Sequence, residues 1–562
     1  MTQLRRRRSQ AHRIDQGRRG PSVGPVAIAA GVVAVLAVAV ILLANPGSSP
    51  ASSPGPSASG LAVGSGSPGA SASTGGSPGP SGGPSPSPSG DLLADVAIVP
   101  VVDFRSTESS IKIADVKAVL TGGKTPYAAI EVVASEADAV LAALAVSEPA
   151  DATRWITAKD VATLRKDLVK HRDRLAFVRA DQVTPAVRAL AWGTQSLFGV
   201  DRVTKTGEWP LTARLPIAGG ADGFDPTRTW TIVAGGDIML DRGVAKVVKV
   251  QGKGADFPFD GGTATITGRT CCSALDNPVP TTRRTGARGA VRRLLTGADL
   301  AVANFENPAP DVFRYHTTGT VFSADPKLIA GLDRAGIDVV SLGNNHIRDA
   351  GAQGILDTIK NLKKYGIKST GAGANVAAAR KPAVVDVNGA RVAILGYDTI
   401  ARYYAAGPSK AGSAQLSPAA VRADIKKARA AGADIVIVYP HWGTEYTPRP
   451  FASQQTLARA VIDAGADMVI GNHAHWVGAM EVYKGRPIWY ALGNFVFDQD
   501  WSEPTMEGIT LELTFRGVEL VQVKIRPHVI LDKSQPNFMS PAGAGKVVMG
   551  QLFDASKSLL PW

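Results

Sequence analysis

An α/β fold built in layers follows from three features of the 562-residue sequence. Between Thr229 and Asp498, apolar runs alternate with segments of helical periodicity: TWTIVAGGDIML, GILDTIKNLKKYG, RVAILGYD, PAAVRADIKKARAAG, QQTLARAVIDAG and RPIWYALGNFVFD. Such alternation packs helices against a largely parallel sheet. Four segments then repeat one pattern: LTGADLAVANFENP, RAGIDVVSLGNNH, ADIVIVYPHWGTEY and DAGADMVIGNHAH. In each, a helix end closes on a glycine (Gly297, Gly336, Gly432, Gly465), an aspartate opens a short apolar run, and a potential metal ligand follows. Last, ITLELTFRGVELVQVKIRPHVI alternates with period two, the mark of an antiparallel hairpin laid on the sandwich.

The spacing within the repeated pattern is nearly constant. Asp299 to Glu306, Asp338 to Asn345 and Asp434 to His441 are each seven residues, while Asp467 precedes His473 by six and His475 by eight. Strands of about six residues, at roughly 3.3 Å each, carry all these side chains to one sheet edge, where open α/β folds place their sites.

Taken in order, the chain opens on a basic tail. Residues 1–24 hold seven arginines and one aspartate, so six of the thirteen formal positive charges lie there and the remaining body is mildly basic. Without a dense Lys/Arg stripe interleaved with aromatics, that charge does not indicate nucleic acid. Residues 25–44 carry no charge and are rich in Val, Ala, Ile and Leu. The run is long enough to span a bilayer and longer than the apolar core of a signal peptide, so it reads as an uncleaved anchor with the arginines on the cytoplasmic side. Residues 45–90 are almost entirely Ser, Gly, Pro and Ala without charge, a composition that cannot bury a core and reads as a disordered extracytoplasmic linker.

Residues 91–224 then predict a smaller α/β domain, with strands at VAIVPVVDF and AIEVVA and helices at EADAVLAALAV and DVATLRKDLVKHRDRL. VRADQVTPAVRALAW and SLFGVDRV loosely resemble one lobe of a solute-binding fold. His171, on the polar helix without a partner at ligand spacing, reads as a solvated side chain. Residues 229–532 form the main domain and 533–562 a C-terminal tail. Within the main domain, 251–293 is rich in Gly, Thr and Arg and reads as a long surface insertion. It holds the chain's two cysteines, Cys271 and Cys272, expected as two thiols because adjacent cysteines rarely bridge to each other. Two cysteines build neither a disulfide framework nor a CxxC zinc site, so any metal must be held by His, Asp, Glu or Asn. No G-x-S-x-G elbow follows a strand, which disfavours a serine hydrolase, and TGAGAN at Thr370 reads as a tight turn rather than a phosphate loop.

Seven residues carry the candidate chemistry: Asp237, Glu306, Asn345, His346, His441, His473 and His475. Each alone has an ordinary structural explanation, such as a hydrogen-bonded core histidine, a turn-forming Asn or a capping Asp. Together, at the ends of apolar strands, they form a mixed carboxylate, amide and imidazole set that suits Mn, Fe or Zn. Two such cations need a bridging anion, which Asp or Glu supplies.

GGDIML, NFENP, NNHIRDAG, HWGTEY, GNHAH and YALGNFVFDQ, in this order over Thr229 to His528, resemble the CapA family of bacterial capsule-synthesis proteins, within the calcineurin-like metallophosphatase superfamily. The resemblance implies a four-layer α/β/β/α sandwich, a membrane anchor, and a part in making or exporting poly-γ-glutamate or a related capsular polymer. Carried over by position, Asp237 and His475 would hold one metal, Glu306 would bridge, and Asn345, His441 and His473 would hold the second. His346 would donate a proton or stabilise the transition state, oriented by Asp349, and Asn344, Glu445 and Asn494 would stand behind the ligands or on the substrate side. Two positions depart from the superfamily: Met239 stands where Asp-x-His has its histidine, and Glu306 stands where an Asp is usual.

Three functions follow as expectations. The first is a metal-dependent hydrolase or phosphoesterase acting on a phosphoester or an anionic capsular polymer, working beside capsule synthase or export subunits at the membrane. The second is a non-enzymatic assembly or export partner that keeps the fold, which the loss of the Asp-x-His histidine favours. The third is an extracytoplasmic binding protein in which residues 91–224 capture a solute.

Overall fold

A computed structural model describes residues 92–217, 224–272, 276 and 278–559. The basic tail, the apolar run and the linker lie outside the described residues, and no helix within them is long and apolar enough to cross a membrane.

The N-terminal lobe is a mixed sheet. β1 (Leu92–Asp103), β2 (Ala129–Val133), β3 (Trp155–Ala158), β4 (Arg174–Arg179), β5 (Val187–Ala189) and β6 (Thr212–Ile217) lie in the order β3-β2-β4-β1-β5, with β6 on the first half of β1. Three helices, α1 (Ile113–Thr121), α2 (Ala137–Leu144) and α3 (Val161–Lys170), seal it by burying Val116, Val140, Leu164 and Leu168 against Ile98, Ile130 and Phe177. Asp160 caps α3 by accepting from Thr163 N at 2.8 Å, and His171 ends that helix on the exposed surface.

Two sheets make the C-terminal lobe. The first comprises β7 (Thr229–Ile238), β10 (Leu300–Phe305), β11 (Val339–Ser341) and β12 (Lys368–Thr370), all parallel, with the separate hairpin of β8 (Ala264–Thr270) and β9 (Val279–Arg284) between β7 and β10 in the chain. The second comprises β13 (Ala383–Val387), β14 (Ala390–Asp398), β15 (Ile435–His441), β16 (Met468–Ile470), β17 (Met480–Tyr483) and β18 (Arg486–Trp489), in the order β13-β14-β15-β16-β18-β17 with a parallel centre. The chain then returns to the first sheet with β19 (Asn494–Val496), beside β7, and the antiparallel β20 (Glu507–Arg516), β21 (Glu519–Leu531) and β22 (Gln535–Phe538). Helices α4 (Ala290–Gly297), α5 (Ile329–Ala335), α6 (Gly351–Lys364), α7 (Pro418–Ala430), α8 (Ala452–Asp463) and α9 (Lys546–Ala555) complete it.

Side-chain alternation sets the layer order. Ile232, Ala234, Leu300 and Val302 of the first sheet share one core with Ile435, Ile437, Met468 and Ile470 of the second. The intervening Val233, Ala301 and Val340 pack on Leu294, Ile329, Leu332 and Leu362 of α4–α6. Val436, Val438 and Val469 pack on Val421, Ile425, Ala458 and Val461 of α7 and α8. The order is therefore helix, sheet, sheet, helix, and strands buried on both faces read as continuous apolar runs. Tyr439 joins the sheets, its hydroxyl donating to the Gly235 carbonyl.

The four strand-opening aspartates share one geometry. Each donates its N–H to a carbonyl of the neighbouring parallel strand and accepts, through Oδ2, the N–H of that same residue. Asp299 pairs in this way with Thr231 at 3.0 and 2.9 Å. Asp338 pairs with Ala301 at 3.0 and 2.9 Å, Asp434 with Arg391 at 2.8 and 2.7 Å, and Asp467 with Val436 at 2.9 and 2.7 Å. The register of adjacent strands is thus locked at the end opposite the candidate ligands.

Two expectations need correction. Cys271 and Cys272 are joined to each other rather than present as two thiols. The segment after residue 532 is not a tail, since β22 extends the first sheet and α9 buries Val548, Met549 and Leu552 in the inter-sheet core.

Candidate metal centre

Every candidate ligand lies at the C-terminal end of a strand. Asp237 is the penultimate residue of β7, Glu306 follows β10, His441 ends β15, and His473 and His475 follow β16. Gly236 lets β7 approach the chain before β19, because a Cβ there would lie 1.9 Å from the Gly493 carbonyl oxygen.

These five side chains converge into two groups whose potential ligand atoms lie within 4.8 Å of one another: Glu306, His441 and His473, and Asp237, Glu306 and His475. Glu306 belongs to both. Its Oε1 lies 3.5 Å from His441 Nε2 and 3.7 Å from His475 Nε2, while His441 Nε2 faces His473 Nδ1 at 3.0 Å. Asp237 Oδ2 is 3.5 Å from His475 Nδ1 and accepts the His473 N–H at 3.2 Å.

Polar neighbours fix the orientations. Asn494 gives its two amide protons to Gln499 Oε1 and the Thr505 carbonyl, both at 2.9 Å, so its Oδ1 is what faces His475 Nδ1 at 2.9 Å. That bond places the proton on Nδ1 and leaves Nε2 towards Glu306 as a lone-pair donor. Asn344 donates to Asn304 Oδ1 at 3.3 Å and to the Phe305 carbonyl at 2.9 Å, and the Asn304 amide in turn donates to Asp237 Oδ1 at 2.7 Å.

Burial decides the electrostatics. Glu306 is fully buried, and neither of its oxygens has a hydrogen-bond partner. Burial first, then the charges of Asp237 and Glu445, push its carboxyl well above the usual range. Burial holds His441 down at about 3 and His473 well below its ordinary value, so both rings are neutral. Burial opposes ionisation of Asp237 too, but the hydrogen bonds from His475 and Asn304 outweigh it and keep its pKa low. A carboxyl with no donor, facing neutral imidazoles, calls for a proton or a cation, and the convergence of lone pairs fits a cation.

The remaining sequence-derived positions surround this cluster. His346 Nδ1 bonds Asp349 Oδ2 at 2.8 Å, and the same oxygen accepts from Phe322 N at 2.8 Å. His346 stands outside both ligand groups, with its ring 4.2 Å from that of Phe322. Asn345 Oδ1 is buried without a partner, and Glu445 is exposed, acting on Glu306 through its charge. Met239 is wholly buried in the helix-side core with Val244 and Phe259, and its sulfur accepts from Asp241 N at 3.0 Å.

Two residues of the site escaped the sequence reading. Asn304 links Asp237 to Asn344 and lies 3.2 Å from His441 Nδ1; its signal was an amide inside the strand-end phrase NFENP. Arg242, directly after GGDIMLD, places its guanidinium 4.9 Å from the Phe322 ring centre and 5.9 Å from that of Phe497, with Nη2 on Asp498. Its charge also reaches Glu306. Arg242 opens a helix of four residues, Arg242–Ala245, too short to carry a periodic signal, so only position in the motif could have marked it.

Comparison with known proteins gives concordant results. A family model described as bacterial capsule synthesis protein PGA_cap matches residues 231–499. The capsule biosynthesis protein CapA of Bacillus anthracis is 34% identical over 274 residues, 47% of this chain and 66% of that one. The PGA biosynthesis protein CapA of Bacillus subtilis is 32% identical over 271 residues, 48% of this chain and 63% of that one. The chain thus spans slightly less than two thirds of the length of these two relatives. A probable polyglutamine synthesis accessory protein of Mycobacterium tuberculosis is 30% identical over 325 residues, 55% of this chain and 82% of that one. Among solved structures, a 5'-nucleotidase precursor from Thermus thermophilus is a distant likeness, with 16% identity, TM-score 0.33 and 59% of each chain covered. From the matched motifs and the 82% coverage of the mycobacterial relative, this chain belongs to the bacterial capsule synthesis protein family, PGA_cap.

Proposed function

We propose that this chain is an extracytoplasmic capsule-polymer protein, anchored by residues 25–44, whose metal centre hydrolyses a phosphoester or an amide-linked anionic polymer of the poly-γ-glutamate kind. The observation that carries this reading is Glu306, buried, shared by both ligand groups and without a hydrogen bond to either oxygen. Glu306, His441 and His473 would hold one divalent transition metal, Mn, Fe or Zn, and Asp237, Glu306 and His475 the other, in the manner of a four-layer metallophosphatase. Such cations supply Lewis acidity to a phosphoryl or carbonyl oxygen.

The chain's own residues do the rest. Asn494 and Asn304 hold His475 and Asp237 in orientation. Arg242, pinned by Asp498 and the Gly319 carbonyl, adds positive charge beside the cluster and favours an anionic substrate. His346, with Nδ1 engaged by Asp349, keeps Nε2 as the atom that hands a proton to a leaving group.

Metal content of the purified full-length chain tests the reading. The wild type should copurify with a transition metal, and Glu306→Gln and His441→Ala should each lower that content, while Lys557→Ala, on the exposed end of the molecule, should not. Absence of metal from the wild type, or equal metal in all four proteins, overturns the proposal.

Met239 favours a second reading. Its side chain belongs to the core, so no second imidazole supports the Asp237 side of the centre. On that reading the chain keeps the fold and a single metal, and binds polymer during assembly or export without cutting it. A capsule-forming strain that stays fully encapsulated with His346→Ala but not with Glu306→Gln would select it.

A further inference from the structure

We propose that the chain binds one carboxylate group in a cavity between its two lobes, held by Arg188 of β5 and Lys524 of β21. The cavity measures about 30 Å³ and lies apart from the metal centre, with Glu108, Ser196, Thr514 and Gln522 also in its wall.

Arg188 is 4% exposed, and a single bond from its Nε to the Phe104 carbonyl, at 3.4 Å, is the one hydrogen bond its side chain makes among the described residues. Its Nη2 is buried and has no partner. A buried guanidinium N–H left unsatisfied is costly, so such a group marks a place where something binds. The Lys524 side chain makes no hydrogen bond or ion pair among the described residues, although burial pulls its ammonium below the usual value. Apart from Glu108 in the wall, the acids whose charge reaches these cations are already engaged. Asp103 accepts from Arg105 N at 3.0 Å, and Glu512 and Asp201 both pair with Arg526.

Charge selects the ligand. Glu108 is the only acid in the wall, so Arg188 and Lys524 leave a net charge of +1, which one carboxylate balances and a dianionic phosphate exceeds. Gln522 fixes the wall, accepting from Ala189 N at 3.2 Å and donating to the Val187 carbonyl at 3.1 Å, so the cations are held in place before the ligand arrives.

Calorimetric titration of the purified full-length chain with γ-glutamylglutamate, at fixed ionic strength and in the presence of a chelator, tests the proposal. One saturable site per chain is expected, weakened roughly 30-fold or more by Lys524→Met, as when one partner of a buried charge pair is truncated. Arg188→Gln should act in the same direction, and because that change could also unfold the lobe, the Lys524 variant carries the result. Glu306→Gln should leave this titration unaltered; failure of the metal reading shows in metal content and not here. No saturable binding below about 10 mM, equal binding by Lys524→Met, or tight binding of inorganic phosphate in place of the peptide would each overturn the inference.

Discussion

His473 and His475 adopt φ of 92° and 55°, and Arg242 and Tyr446 adopt 46° and 59°. These are four of the ten non-glycine residues with positive φ among the described residues, so backbone strain, at about 1–3 kcal/mol per position, is concentrated around one cluster. What sustains it is the bonding already described, of His475 by Asn494 and of the His473 N–H by Asp237. At this scale the proposed proton donor can be separated from the proposed ligands. On the hydrolase reading, His346→Ala should reduce turnover by a factor on the order of 10² to 10⁴ while metal content stays unchanged, because His346 lies outside both ligand groups. Asp349→Asn should give a smaller loss in the same direction, and a variant set in which metal content falls with turnover would return His346 to the ligands. The five candidate ligands that converge were legible because each is a His, Asp or Glu at a strand end, whereas Asn345 lies four residues beyond its strand. Asn304 and Arg242 were not, since the first acts by its contacts with Asp237, Asn344 and His441 and the second by its place on the short helix after β7.

Strands, rather than single residues, explain the constant spacing. Each strand-opening aspartate grips the N–H and carbonyl of one residue on the next parallel strand, which sets where every strand starts, and six to eight residues later the chain reaches the site. Asp434→Ala removes the acceptor of the Arg391 N–H without touching a ligand. The expected loss is about 1–2 kcal/mol, with Asp434→Asn costing less because its amide oxygen still accepts. Urea unfolding should show a lower midpoint at an unchanged slope; an unchanged midpoint would mean that register is held elsewhere. The spacing made the strands and their common edge readable, yet not their division between two sheets. Asp299 and Asp338 serve the first sheet, Asp434 and Asp467 the second, and nothing local to the four phrases distinguishes them. The division is made by β13 and β14, whose antiparallel pairing turns the chain into a new sheet.

At the scale of the whole molecule, two predictions follow from how its parts are joined. If residues 25–44 anchor the chain with the arginine tail in the cytoplasm, protease added to intact spheroplasts should remove everything after the linker; protection of the folded region would reject that topology. The second concerns the lobes. The strands β20 and β21 alternate apolar and polar residues, a pattern that ordinarily leaves one face to water. Here that face is buried: Glu512 is fully enclosed and Thr514 is 1% exposed, because the N-terminal lobe covers them, while Thr510 is enclosed beside His528. Glu512 is the hinge of this contact, accepting the Val200 N–H of the N-terminal lobe through one oxygen and pairing with Arg526 through the other. Removing it leaves Arg526 with Asp201 alone, at an exposed edge, and leaves the Val200 N–H without an acceptor. Breaking a buried ion pair on one side costs about 3 kcal/mol, a large share of a domain's stability. Glu512→Ala should therefore lower the thermal midpoint and increase proteolytic cleavage near Val200, whereas Glu512→Gln, which keeps one acceptor, should fall between it and wild type. Equal midpoints for all three proteins would show that the lobes are held by Gln522 and Arg202 instead, through their bonds to Val187 and Thr229.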